Sequence, residues 1–251
     1  MPTATIREFV ESSAQPGIRG FLHTPESPNG QGLVLTHGAG GNAQAPLLRA
    51  LADGFARAGF TVLRCDLPFR QTRSFGPPGP ADGARDRAGL KNAISALRVV
   101  MSTALLPDVE KSKDSPSTAL NPSLARVFIG GHSYGGRQAS MLCAEDPDVA
   151  AGLLLLSYPL HPPRRPEQQR TQHLPDLRSP TLFVHGTRDP FGSIEELERA
   201  IKMIPARTKL LAVEGAGHDL GFKGKARREG LAEQIHSEFR EFLAESQRVS
   251  S

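Results

Sequence analysis

The sequence predicts an α/β protein: a doubly wound, mostly parallel sheet flanked by helices, in a single domain of 251 residues with no large cap domain. Three observations predict it. Six short runs, at 32–38, 60–66, 126–131, 152–158, 181–186 and 208–215, are almost continuously apolar and end in Gly, Asp or another turn former. Continuous rather than alternating apolar runs suit strands covered on both faces, as in a parallel sheet. Helical patterns separate most of these runs, and strand-helix alternation is the signature of a doubly wound sheet.

The elements follow in order. Segments 6–10 and 18–22 are expected to pair as an antiparallel hairpin at one edge. Asn42 is placed to cap a helix carrying Leu47, Leu48, Leu51 and Phe55, which Gly59 can end in a left-handed conformation. Residues 66–85 contain GPPGPADG and are expected to lack regular structure. Leu90, Ile94, Leu97 and Met101 fall on one helical face. Residues 103–125, rich in Pro, Ser and Lys, are expected to be a surface connection. A helix with a weaker pattern is expected over 137–144. Residues 161–180 hold five prolines and leave little room for a helix. Ile194, Leu197 and Ile201 mark the next helix, and Leu231, Ile235, Phe239 and Phe242 the last.

Composition narrows the function classes. The net charge of +4 rests on 23 scattered arginines and 7 lysines, with no tryptophan and only two tyrosines. A nucleic-acid binder would cluster its basic residues and interleave aromatics, so no such partner is expected. No apolar run is long enough to cross a membrane, and the N-terminus lacks an apolar leader pattern. Cys65 and Cys143 are far apart and are expected to be buried thiols in a reducing compartment, with the cytoplasm as the default location.

The chemistry centres on GGHSYGG, residues 130–136. With a strand before it and a helix after it, Ser133 sits on a sharp turn. Side chains two residues to either side would collide across that turn, so Gly131 and Gly135 are required. This is the G-x-S-x-G pattern, which lifts the hydroxyl above the sheet at a helix N-terminus. A serine nucleophile needs a base. Of eight histidines, His218 is the best placed, on the loop EGAGHDL after the last predicted strand. His132 is expected to point away from its neighbour Ser133. His37 and His185 end strands and are expected to shape turns, and His236 is expected to be solvated. Asp189, four residues past the strand at 181–185, supplies the acid at the same carboxyl edge. Asp219, adjacent to His218, cannot easily orient it. The order Ser133, Asp189, His218 fits this architecture. The N–H groups of Tyr134 and Ala39, the latter in THGAGGN, are the expected oxyanion donors. That loop lacks dinucleotide or P-loop spacing.

These motifs together resemble the α/β-hydrolase superfamily over nearly the whole chain. THGAGGN, GHSYGGRQAS, LLLLSYPLHPP, LFVHGTRDPFG and EGAGHDL are most similar to its small capless branch, the dienelactone-hydrolase-like and testis-expressed hydrolase-like proteins. The resemblance implies hydrolysis of an ester, thioester or related acyl bond of a small-molecule substrate, with no cofactor or metal. Dienelactone hydrolases proper use a cysteine nucleophile, so the serine here points away from that activity. About twenty residues between the strands at 152–158 and 181–186 are too few for a helical cap, and an open site is expected. His37, Gly38, Phe69, Arg70 and Tyr158 are expected to line the pocket, with Arg73, Arg164 and Arg165 nearby. Arginines at the pocket would favour an anionic substrate; at the surface they would only be solvated. A non-catalytic interaction protein on the same fold, and acyl transfer or perhydrolysis by the same triad, stay open as alternatives.

Overall fold

In the computed structural model, residues 4–104, 126–222 and 230–248 are described. All six predicted runs form strands. The hairpin β1 (Ala4–Glu11) and β2 (Ile18–Pro25) precedes β3 (Gln31–Thr36), α1 (Pro46–Arg57) and β4 (Thr61–Cys65). Then come α2 (Pro68–Thr72), α3 (Asp82–Ala104), β5 (Arg126–His132), α4 (Tyr134–Glu145) and β6 (Leu153–Leu156). The chain continues through β7 (Thr181–Gly186), α5 (Ile194–Ile201), β8 (Thr208–Val213) and α6 (Leu231–Arg248). The eight strands make one sheet in the order β1-β2-β4-β3-β5-β6-β7-β8. Neighbours from β4 to β8 pair in parallel, and β2 pairs antiparallel with β1 and β4.

The central strands are buried at nearly every position because each face of the sheet has its own helical layer. On β6, Leu153 and Leu155 pack into one core and Leu154 and Leu156 into the other. The first core takes Leu90, Ile94 and Leu97 of α3 and Leu142 of α4. The second takes Leu48, Leu51 and Phe55 of α1 and Ile235, Phe239 and Phe242 of α6. The chain leaves β3 towards β4 on one side and returns to β5 on the other. The loops after β3 and β5 therefore part at the carboxyl edge of the sheet, where ligands bind in open α/β sheets.

Three expectations change. The first helix starts at Pro46, whose fixed φ suits the first helical position. Asn42 instead closes a tight turn, its Oδ1 accepting from Gln44 N at 2.8 Å. Gly59 does end the turn after the helix, at φ +93°. Within the stretch expected to be irregular, Pro68 opens the short α2 and Asp82 opens α3. His236 is half-buried, its ring edge-on to Phe55 and Phe60, because the polar residue falls on the seam where α6 meets α1. Most of the connection expected at 103–125 lies outside the described residues. Cys65 and Cys143 are buried free thiols, as expected. Among the described residues, no helix is long and apolar enough to cross a membrane.

Two other histidines tie stability to pH. His23 is fully buried, and its Nε2 accepts from Arg64 Nε at 2.8 Å, so a proton there would face a donor. Burial, then the Arg64 charge, lowers its pKa to about 4. His173, with Nε2 2.8 Å from the buried Ser140 hydroxyl, is lowered to about 4 by burial and Arg137. Below an unfolded-state pKa near 6.5 the unfolded chain takes up protons that the native state refuses. These two sites therefore make stability fall as pH drops from about 6.5 towards 4. The urea midpoint is expected to decline across that window, and less steeply in a His23→Gln, His173→Gln double variant. An equal slope in the two proteins would contradict this assignment.

Candidate active site

β5 delivers Ser133 to the carboxyl edge, and α4 begins at the next residue. Ser133 takes φ 52° and ψ −119°, a strained backbone for a residue with a side chain. The glycines around it answer to close approaches. A Cβ on Gly131 would lie 2.6 Å from Gly136 N and 2.7 Å from Gly135 C, which is the expected collision across the turn. A Cβ on Gly135 would instead lie 2.4 Å from the carbonyl oxygen of His37. That glycine is set by the approach of the loop after β3 rather than by the turn itself.

The loops after β7 and β8 carry Asp189 and His218. They are tied together: Arg188 N donates to Ala216 O at 2.9 Å, and Gly215 N to Thr187 Oγ1 at 2.8 Å. A Cβ on Gly186 would sit 2.3 Å from Ala216 O, so only glycine lets these loops approach. The result brings three distant side chains together. His218 Nε2 is 2.8 Å from Ser133 Oγ, and His218 Nδ1 is 2.8 Å from Asp189 Oδ2. The Asp189 carboxylate is buried and also accepts from Phe191 N at 2.9 Å. The Phe191 ring lies 4.2 Å from the His218 ring, covering one face of the imidazole. Asp219, by contrast, turns its Oδ1 to Gly221 N.

His132 differs from expectation. It does not turn away from the site but lines the cavity, with Nε2 2.7 Å from the carbonyl oxygen of His218. A carbonyl only accepts, so His132 donates and ties the loop carrying His218 to the serine turn.

The other wall is the loop after β3. The carbonyl of Gly38 is 2.8 Å from His37 Nδ1 and accepts from Gly41 N at 3.0 Å. Leu67 N donates to His37 Nε2, so the ring is neutral with its proton on Nδ1. Burial holds the His37 pKa below its ordinary value. In a planar trans peptide the N–H of Ala39 points opposite to the Gly38 carbonyl. His37 thus both lines the cavity and orients the loop; it is more than a turn former. His185 is a buried strand residue with Nε2 2.9 Å from the carbonyl of Gly192.

A cavity of about 590 Å³ opens over Ser133, within the range of small-molecule sites. His37, Gly38 and Ala39 line it, as do His132 and His218. Phe69, Arg70 and Tyr158 do not, contrary to expectation. Phe69 is fully buried against the Tyr134 ring. Tyr158 is buried in the core, with its hydroxyl donating to Arg170 O at 2.6 Å. Arg70 lies behind the β3 loop and donates to the carbonyls of Ala39 and Gly41 at 2.7 and 2.9 Å. Arg73 pairs with Asp82, Arg164 and Arg165 are exposed, and none of the three lines the cavity. The Tyr134 side chain turns from the cavity to donate to the buried Asp86 at 2.8 Å; the same carboxylate accepts from Phe69 N at 3.0 Å. Residues 161–180 contain one three-residue helical turn at Leu174–Asp176 and no helical cap.

The structure superposes on a dienelactone hydrolase from Anabaena variabilis with a TM-score of 0.63, at 21% identity, covering 97% of this chain and 98% of that one. An α/β serine hydrolase without lid from Xanthomonas campestris gives a TM-score of 0.62 at 12% identity, covering 96% and 94% of the two chains. These likenesses concern the fold. In sequence, the chain is 28% identical over 202 residues to a putative phosphoribosyl transferase of Mycobacterium tuberculosis, covering 80% of this chain and 39% of that protein. It spans well under half the length of the curated relatives it matches. Residues 29–245 match the family described as alpha/beta hydrolase domain, and with the sheet order and capless architecture above, the chain belongs to that family.

Proposed function

We propose that the protein is a serine hydrolase that cleaves an ester, thioester or related acyl bond of a small molecule. The observation that carries this reading is the continuous chain of contacts from Asp189 through His218 to Ser133, 2.8 Å at each link. In the first step the Ser133 oxygen attacks the acyl carbon as His218 Nε2 takes its proton. Asp189 keeps the other imidazole proton on Nδ1 and stabilises the imidazolium. The oxyanion accepts hydrogen bonds from the N–H groups of Tyr134 and Ala39, the first at the start of α4. Collapse of the intermediate passes the proton from His218 to the leaving group and leaves an acyl-serine. Water then attacks the acyl carbon and gives a proton to His218, which passes it to the departing Ser133 oxygen, releasing the acid and regenerating the free serine and neutral imidazole.

A fluorophosphonate probe tests the reading directly. The wild-type chain is expected to be labelled, and Ser133→Ala to lose the label while keeping its circular dichroism. A folded wild-type protein that resists every such probe and turns over no activated ester would overturn the reading. It would favour a non-catalytic binding role on the same fold.

A further inference from the structure

The cavity carries information about its substrate beyond the acyl bond. One of its walls is the start of α1, with Ala45, Pro46, Leu47 and Leu48, and Phe222 stands on the segment after His218. The side chains of these five residues offer no donor or acceptor, with Asn42 and Gln44 as polar neighbours on the lining, and Pro46 removes one of the backbone N–H groups that a helix start usually presents. Among the described residues no lysine or arginine lines the cavity. Its one carboxylate is Asp219, beside the imidazole. An apolar arm laid along this wall gains free energy by leaving water, whereas a carboxylate in the cavity meets no cationic side chain among the described lining residues and stands against the Asp219 carboxylate.

We propose that the preferred substrate is an uncharged ester or thioester with an apolar arm packed against Ala45–Leu48 and Phe222. The proposal rests on the serine-hydrolase reading. It commits to the chemistry of the arm, on the acyl or the leaving-group side of the carbonyl, and the two arms of the test separate these sources.

The first arm measures kcat/KM for p-nitrophenyl acetate, butyrate, hexanoate and octanoate. The second uses acetyl thioesters of ethyl, butyl, hexyl and octyl thiols. In the series whose arm meets the wall, kcat/KM is expected to rise up to about fourfold per added methylene until the wall is covered, since each buried methylene is worth about 0.8 kcal/mol. p-Nitrophenyl hemiglutarate is expected to react at least about tenfold more slowly than the pentanoate, and Asp219→Asn to narrow that gap. Ala45→Asp places a carboxylate on the wall at a helix N-cap position that favours it, so the fold is kept. This variant is expected to shrink the hexanoate-to-acetate ratio. Two flat or falling series, or hemiglutarate matching the pentanoate, would overturn the proposal while acetate turnover dependent on Ser133 leaves the serine-hydrolase reading standing. Absence of any turnover would overturn both.

Discussion

His218→Ala is expected to lower acyl turnover at least ~10³-fold, and Asp189→Asn to lower kcat by about 10³ to 10⁴, both without loss of the fold. The first follows from chemistry, because a neutral serine hydroxyl is a weak nucleophile until a base removes its proton. Among the described residues, His218 Nε2 is the basic nitrogen within hydrogen-bond reach of Ser133 Oγ, at 2.8 Å. The second is the more demanding test. In the native site the buried carboxylate can only accept, so His218 Nδ1 carries the proton and Nε2 keeps its lone pair for the serine. An amide at 189 can present its NH₂ group to the ring. Its oxygen would keep the bond from Phe191 N, now 2.9 Å from Asp189 Oδ1. The ring then accepts at Nδ1 and carries its proton on Nε2, facing the hydroxyl with a donor where a base is needed. Geometry survives and the tautomer inverts. Steady-state turnover of p-nitrophenyl acetate, with circular dichroism as the fold control, checks both variants. An Asp189→Asn enzyme within tenfold of wild type would remove Asp189 from the proposed mechanism.

That constellation was legible in the sequence because each member sits at a strand end. Strands buried on both faces announce themselves as apolar runs. Val127–Ile129, Leu153–Leu156 and Leu182–Val184 lie fully inside, so their boundaries, and the polar residues just past them, could be read. The direction of side chains was legible only where alternation continues. At Ser133 the backbone leaves the strand conformation, and His132 faces the cavity against expectation. Residues 66–85 show a second limit. Their Pro and Gly content hides a five-residue helix too short to show a period, held by contacts from distant residues such as Asp86. The sequence shows Phe69 and Arg70 beside a site loop but not which side of it they occupy. Tyr158, two residues past the end of β6, illustrates the third: its hydroxyl donates to Arg170 O, and no local signal reveals that partner.

The position of Arg70 leads to the other large effect. Arg70→Met is expected to lower kcat about 10²-fold with KM within about threefold of wild type, and Arg70→Lys to recover part of the loss. The guanidinium is buried and donates to four carbonyls: Ala39 at 2.7 Å, Gly76 at 2.8 Å, Gly41 at 2.9 Å and Arg73 at 3.2 Å. Two of these belong to the loop that carries the Ala39 N–H. One planar fork thus fixes the loop from behind, while His37 and Gly41 N fix the Gly38 carbonyl that sets the direction of that N–H. Asp86 completes the brace. It binds Phe69 N at the start of α2 and the Tyr134 hydroxyl beside the other proposed donor, so the two halves of the oxyanion site share one support. Oxyanion donors act in the transition state, and removing one typically costs 10² to 10³ in kcat. A loop released from Arg70 would lose that alignment while leaving the wall proposed to hold the ground state, so the effect is expected on kcat rather than KM. Methionine fills much of the stem volume but removes the donor to all four carbonyls, so the melting temperature should drop as well. A lysine ammonium can reach some of the carbonyls but cannot span all four as the fork does. Kinetics are therefore compared well below the melting temperature of each variant. A folded Arg70→Met enzyme with wild-type kcat would show that the loop holds its N–H without this support, and that Arg70 serves stability alone.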